Sequence, residues 1–314
     1  MLLPVRRMAA VIAAAAFAVS ACSSAAPATP TPPPTAPQTQ PPSGAPSSPG
    51  APSSGPDAAT YWLRLTTTQA LAPLNLFGNG APMVITGSGL VVMPGPVPAV
   101  FPGPLVVPLV SRTISDAGRA KILDLAESLG LLGRQTDFPA GTGIVGGITA
   151  HVELTVDGKR VTLSGSPDAE ARCGTATCSP APSTPEAFGS FWRQLLDLQT
   201  LLGSELGPET AYSPIIYSIL VGAAPVPDPT LGANIVDWPL AASLATFGVA
   251  VANGQARCAT VTGDTAATLG RAFAKANSLS QWTQDPATSA SFGLTVRALV
   301  PGEDACREIF GVGK

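Results

Sequence analysis

The chain has 314 residues, with 17 lysine plus arginine against 20 aspartate plus glutamate, five cysteines and a single histidine. That length permits one large domain or two ordinary ones. With no basic block anywhere, the charge pattern argues against nucleic acid or an anionic membrane surface as partner.

The chain opens on "MLLPVRRMAAVIAAAAFAVSAC", in which Arg6 and Arg7 precede an apolar run from Met8 to Val19. A short basic start followed by a dozen small apolar residues reads as a secretory signal peptide over 1–21. The run is shorter than the about 20 residues that span a bilayer. Its end, Val19-Ser20-Ala21-Cys22, resembles the lipobox of bacterial lipoproteins. Small side chains admit a peptidase before Cys22, and the freed thiol carries the lipid; two acyl chains at about 0.8 kcal/mol per buried methylene then hold the protein to the membrane. The competing reading is an ordinary cleavage site with Cys22 incidental. The Arg6-Arg7 pair lacks the apolar residues that usually follow a twin-arginine signal, so the export route stays open. Loss of both arginines leaves 15 basic against 20 acidic residues, a net charge near −5.

Residues 22–58 hold the lipidation cysteine and a tract in which 12 of the 36 residues from Ser23 to Ala58 are proline. Such a segment cannot build a core and serves as a spacer. Fully extended as polyproline it would reach about 110 Å.

The remainder, 59–314, is expected to be an α+β domain, mostly antiparallel sheet with a few packed helices. "YWLRLTTT" alternates like a strand, and "FGNGAPMVITGSGLVVM" reads as short strands joined by glycine-rich turns. "PGPVPAVFPGPLVVP" is too proline-rich for a central strand and belongs at an edge or surface. "ISDAGRAKILDLAESLGLLG" sets Ile122, Leu125, Ala126 and Leu129 on one helical face, with Ser115 as N-cap. "HVELTVDGKRVTLSG" is two alternating strands about Asp157-Gly158, a strong two-residue hairpin signal. Its register puts Leu154 opposite Val161, Val152 opposite Leu163 and His151 opposite Ser164. "STPEAFGSFWRQLLDLQTLLG" predicts one helix capped by Thr184, with Pro185 at its first position and Phe188, Phe191, Leu195, Leu198 and Leu202 as a core stripe. "YSPIIYSILVG" and "ARCATVT" read as strands, Asp237-Trp238-Pro239 as the start of a short helix ending at Gly248, "GDTAATLGRAFAKANSL" as a helix and "SFGLTVRALV" as a last strand. Ile114, Ile122, Ala126, Leu129 and Leu132 match Val261, Leu269, Phe273, Ala276 and Leu279 at a constant offset of 147. The match fits either two pseudo-repeated halves or the generic look of any strand–helix–strand unit.

With Cys22 acylated, Cys173, Cys178, Cys258 and Cys306 remain, an even number suited to an oxidising compartment. Of three connectivities, Cys173–Cys178 with Cys258–Cys306 keeps each bridge within one half. On the loop-entropy account the short bridge stabilises by about 2 kcal/mol and the long one by about 4 kcal/mol. A C-x4-C pair with one histidine does not build a zinc site, and no metal or cofactor is expected.

Chemistry has few places to hide. Gly141-Thr142-Gly143-Ile144-Val145-Gly146 matches G-x-G-x-x-G but lacks the preceding strand and following helix that seat a pyrophosphate. His151 is the only histidine; Ser164 and Glu153 share its strand face, yet no nucleophile elbow or oxyanion loop accompanies them. Paired-acid catalysis would draw on Asp116, Glu153, Asp237, Asp264, Glu303 or Asp304, several of which have capping or helix-dipole roles. Trp62, Trp192, Trp238 and Trp282 could line a groove, with core burial the expected fate of most. No catalytic residue is assigned.

The order "FPGP", "ISDAG", "AESLGLLG", "DWPL" and "RCATVTGDTAATL" is similar to a group of exported lipoproteins of high-GC Gram-positive bacteria. That resemblance implies an envelope location and brings no activity with it. The expectation is a non-enzymatic domain, tethered through Cys22 to the outer face of the cytoplasmic membrane and binding an envelope lipid, glycan or protein. The alternative is an extracytoplasmic hydrolase acting on an envelope substrate.

Overall fold

The computed structural model describes residues 61–68, 74, 77–78, 80–139, 147–173, 176–227, 229–232, 234–284 and 290–312, all within one compact unit. The architecture is α+β, built on two mixed sheets.

The first sheet takes its strands from β1 (Tyr61–Thr68), β2 (Met83–Thr86), β3 (Leu90–Pro94), β4 (Leu109–Thr113), β5 (Asp137–Phe138), β6 (Thr149–Val156), β7 (Lys159–Gly165) and β10 (Thr210–Tyr212). Their order across the sheet is β10-β4-β3-β2-β1-β6-β7-β5, antiparallel except for β5 beside β7. Alternation decides which side is buried. Leu63, Leu65, Met83, Ile85, Val91, Val152, Leu154 and Leu163 form one apolar face. Three helices cover it: α1 (Asp116–Ser128), α2 (Pro185–Leu196) and α3 (Leu198–Leu202). Ser115 caps α1 by accepting from the Gly118 amide, and Ile122 and Ala126 sit on its buried side. Thr184 caps α2 through Ala187, with Pro185 in the first turn.

The hairpin follows the expected register, with His151 opposite Ser164, Val152 opposite Leu163 and Leu154 opposite Val161. Its turn has positive φ at both Asp157 (50°) and Gly158 (73°), as a type I′ connection demands. At the end of β7, Gly165 is required by close approach. A Cβ there would lie 2.6 Å from Phe188 and 2.8 Å from the Phe138 carbonyl. That contact lets Phe138 and Phe188 stack at 5.9 Å beneath the sheet.

The second sheet runs β12-β15-β16-β11-β14-β13. Its strands are β11 (Ile216–Ala223), β12 (Ile235–Asp237), β13 (Val249–Val251), β14 (Ala256–Thr262), β15 (Gln281–Thr283) and β16 (Phe292–Ala298). A short pair, β8 (Arg172–Cys173) with β9 (Ala176–Thr177), stands apart. Tyr217, Ile219, Val221, Leu294 and Val296 share one core with α4 (Gly263–Phe273), and with Val84, Val92 and Leu109 from the first sheet. On the other side of β11, Leu220 joins Phe77, Val251, Leu299 and the terminal helix α5 (Ala305–Phe310). The Cys258–Cys306 disulfide ties β14 to α5, with Cα atoms 5.8 Å apart. Cys178 is also disulfide-bonded, and the Cys173 side chain lies outside the described residues.

Three expectations need correction. The helix from Thr184 breaks at Asp197, whose non-helical backbone (φ −113°, ψ 61°) ends α2 and whose carboxylate caps α3 through the Thr200 amide. No helix runs from Asp237 to Gly248. Asp237 ends a strand parallel to β15, and only a single 3-10 turn, Leu244–Thr246, follows. Burial of Trp238, whose indole N–H donates to the Ala242 carbonyl at 2.9 Å, holds that segment irregular. Lastly, α4 ends at Phe273, which leaves Ala276 and Leu279 outside it. The two halves also differ in topology. The strand before α4 lies next to the central β11, whereas β4, before α1, stands three strands from β1. Shared helix periodicity is therefore not matched by a shared sheet order.

Candidate functional site

The hairpin register does bring His151, Glu153 and Ser164 onto neighbouring strand positions. Each side chain is nevertheless committed elsewhere. The His151 Nε2 lies 2.9 Å from Thr68 Oγ1. Ser164 Oγ donates to Asp137 Oδ1 at 2.7 Å. Glu153 accepts from the Tyr61 hydroxyl, which in turn accepts from Arg160 at 3.0 Å. The Arg160 guanidinium carbon sits 4.2 Å above the Tyr61 ring centre. Burial lowers the His151 pKa, against the opposing pull of the Glu153 and Asp137 carboxylates. A nucleophile needs its base within hydrogen-bond reach, and here the hydroxyl faces a carboxylate while the imidazole faces a threonine. The arrangement is a ladder of cross-strand polar pairs. Asp137 escaped sequence reasoning because β5 is two residues long and carries no periodic signal.

The other acids are dispersed. Asp116 and Asp264 sit in helix first turns, and Asp304 caps α5 through the Arg307 amide at 3.2 Å. Trp192, Trp238 and Trp282 are buried, and Trp62 packs at the core edge beneath Arg119. Residues 141–146 of the glycine motif lie outside the described residues; on its flanks are β5 and β6, with no helix between Gly147 and the hairpin. No three His, Cys, Asp or Glu side chains group to hold a metal among the described residues, and no helix among them is long and apolar enough to cross a membrane.

A concave site does exist where the two sheets meet. A cavity of about 300 Å³ lies between Gly80 and Pro82 ahead of β2, Pro94 and Leu109 at the ends of β3 and β4, and Val296 and Arg297 of β16. Its walls are mostly aliphatic or proline. Arg297 is the exception, buried with only 8% of its surface exposed. One guanidinium nitrogen, Nη2, donates to Glu303, whose side chain is fully buried and also accepts from the Val300 amide at 3.2 Å. Burial raises the Glu303 pKa, opposed chiefly by the Arg297 charge. Arg64 of β1, paired with Glu308 of α5, adds a second ion pair whose charge also acts on Glu303. Sequence reasoning offered Glu303 only as a candidate acid. Nothing in its local pattern marks it as the counter-ion of a residue six positions earlier.

Comparison with known proteins adds no identity: no family model, curated relative or solved structure matches the chain.

Proposed function

We propose that the protein is a cell-envelope lipoprotein, anchored by a lipid on Cys22 to the outer face of the cytoplasmic membrane, whose α+β domain is a binding module and not an enzyme. The observation that carries this reading is the run Val19-Ser20-Ala21-Cys22 closing a basic-then-apolar leader. The proline-rich tract that follows supplies a spacer between anchor and domain. A disulfide between Cys258 and Cys306 suits an oxidising compartment. Support for binding over catalysis comes from the separate partners of His151, Ser164 and Glu153. The ligand would be an envelope lipid, glycan or protein.

Metabolic labelling with an alkyne-bearing fatty acid tests the anchor. The wild-type chain takes up label and fractionates with membranes, while Cys22→Ala takes up none. Equal labelling of the two would overturn the proposal.

A further inference from the structure

Between β3 and β4 the chain runs through "PGPVPAVFPGPLVVP", residues 94–108. The loop is closed at its base, where the Gly95 amide donates to the Pro108 carbonyl at 2.8 Å. Its returning arm is pinned twice: the Ser278 amide donates to the Gly103 carbonyl at 2.9 Å, and Leu105 is buried in the core shared by the two sheets. Between these fixed points the tip stands in solvent. Phe101 is 70% exposed, Val100 62% and Val97 50%, with Pro96, Pro98 and Ala99 exposed among them. A single exposed valine is ordinary, but contiguous apolar side chains on a surface mark a place of contact. A second proline-rich loop, which exposes Val226 and Leu231, is held by the same segment that pins the first. Gln281 Nε2 donates to the Pro225 carbonyl at 3.0 Å, and Asn234 Nδ2 donates to Ser280 Oγ at 2.8 Å.

We propose that the tip of this loop docks the domain on a lipid bilayer, inserting Val97, Val100 and Phe101 at the boundary of headgroups and acyl chains. Composition selects lipid over protein. No charged residue stands between Arg64 and Arg112, so the tip has no group to set against an acidic or basic partner. Six of its fifteen residues are prolines, which carry no N–H. The Gly95 and Val100 amides are already bonded within the loop, Val100 to the Pro98 carbonyl at 2.8 Å. A protein interface carries about one hydrogen bond per 100–200 Å², and this surface has few donors to offer. An acyl layer asks for none and penalises each amide left unmet. Insertion is shallow, because irregular backbone enters no deeper than water can follow. Reach is not limiting: the 38 residues between Cys22 and Tyr61 allow up to about 120 Å. Contact is apolar and not electrostatic, in keeping with the excess of acidic residues. The proposal rests on the envelope reading for its membrane, yet its test needs no lipid on Cys22.

The test uses the full chain carrying Cys22→Ser, so that no acyl chain of its own takes part. Saturating phosphatidylcholine vesicles, plain or brominated on the upper acyl chain, are the probe. Bromine quenches only an indole that enters the bilayer, so the signal locates one residue however the N-terminal leader associates. The emission added by Phe101→Trp should shift to the blue and be quenched at least twofold by the brominated vesicles. Val249→Trp serves as the control, being 54% exposed on β13, at the opposite edge of the second sheet from β12. Its added emission should be unquenched. Joining Val100→Asp to Phe101→Trp should abolish the quenching, whereas high salt should not weaken it. All three positions are exposed, so these substitutions leave the core intact. No quenching of Phe101→Trp, equal quenching of Val249→Trp, or loss of the effect in high salt would each overturn the proposal. So would a blue shift of Phe101→Trp that grows with protein concentration in the absence of vesicles, which would assign the tip to a second copy of the chain. Because Cys22 is absent throughout, a negative result counts against the loop and leaves the anchor untouched.

Discussion

The two sheets are stabilised by different means. The first buries an aliphatic face under three helices, and its pairs β2–β3 and β6–β7 are joined by tight turns. Both sheets end on edge strands of two or three residues, but the second gathers Trp238, Trp282, Phe273, Phe247 and Tyr217 into edge-on aromatic contacts of 5.0 to 6.1 Å. It adds a disulfide closing a separation of 48 residues and the buried Arg297–Glu303 pair. The first sheet thus leans on aliphatic burial and the second on aromatic, covalent and ionic contacts. The cavity lies beside β16, which β15 pairs only at Phe292 and Gly293.

Substitutions can break this contrast. The largest effect should come from Trp282→Ala, which empties a fully buried position at the centre of the aromatic group and should cost about 5 kcal/mol in denaturant unfolding. Trp282→Phe should cost far less, since the indole N–H has no partner to lose. A Cys258→Ala/Cys306→Ala double variant should lose about 4 kcal/mol, the loop-entropy value for its span. Glu303→Leu alone should cost about 3 kcal/mol by stranding Arg297, at the low end because the Arg297 side chain keeps a small exposed area. Adding Arg297→Met should restore most of that loss, as apolar replacement of a whole buried pair often does. Loss of the same 3 kcal/mol in single and double variants would show that the pair itself stabilises the second sheet.

Acid–base behaviour sharpens the comparison with a smaller effect of opposite sign in each half. His151 has a pKa below its ordinary 6.5, so the stability it contributes is complete above pH 6.5 and is lost as pH falls through the lowered value. Glu303 has a pKa above its ordinary 4.5, so its contribution is complete below pH 4.5 and is lost as pH rises through the raised value. His151→Asn should flatten the acid-side decline in melting temperature, and the Arg297→Met/Glu303→Leu variant should flatten the alkaline-side one.

Legibility in the sequence cuts across this division. The β6–β7 hairpin was readable because alternation and Asp157-Gly158 agree on one register. The Thr184 and Ser115 caps were readable because capping is local. The break at Asp197 was hidden, since the apolar stripe runs straight through it and only the carboxylate's competition for the Thr200 amide divides the helix. Asp237 to Gly248 misled because its burial depends on Trp238 packing against Trp282, 44 positions away in the chain. The cavity was invisible for a related reason. Its walls come from three distant segments, and its polar atom is an arginine within an ordinary alternating strand.

Membrane attachment of this domain is proposed to rest on lipid carried by Cys22. Intact mass analysis of the N-terminal peptide, from chain purified out of the membrane fraction, addresses it most directly. The expected peptide begins at Cys22 and carries a thioether-linked diacylglycerol. A mature peptide that begins elsewhere, or one whose Cys22 thiol is unmodified, would contradict it.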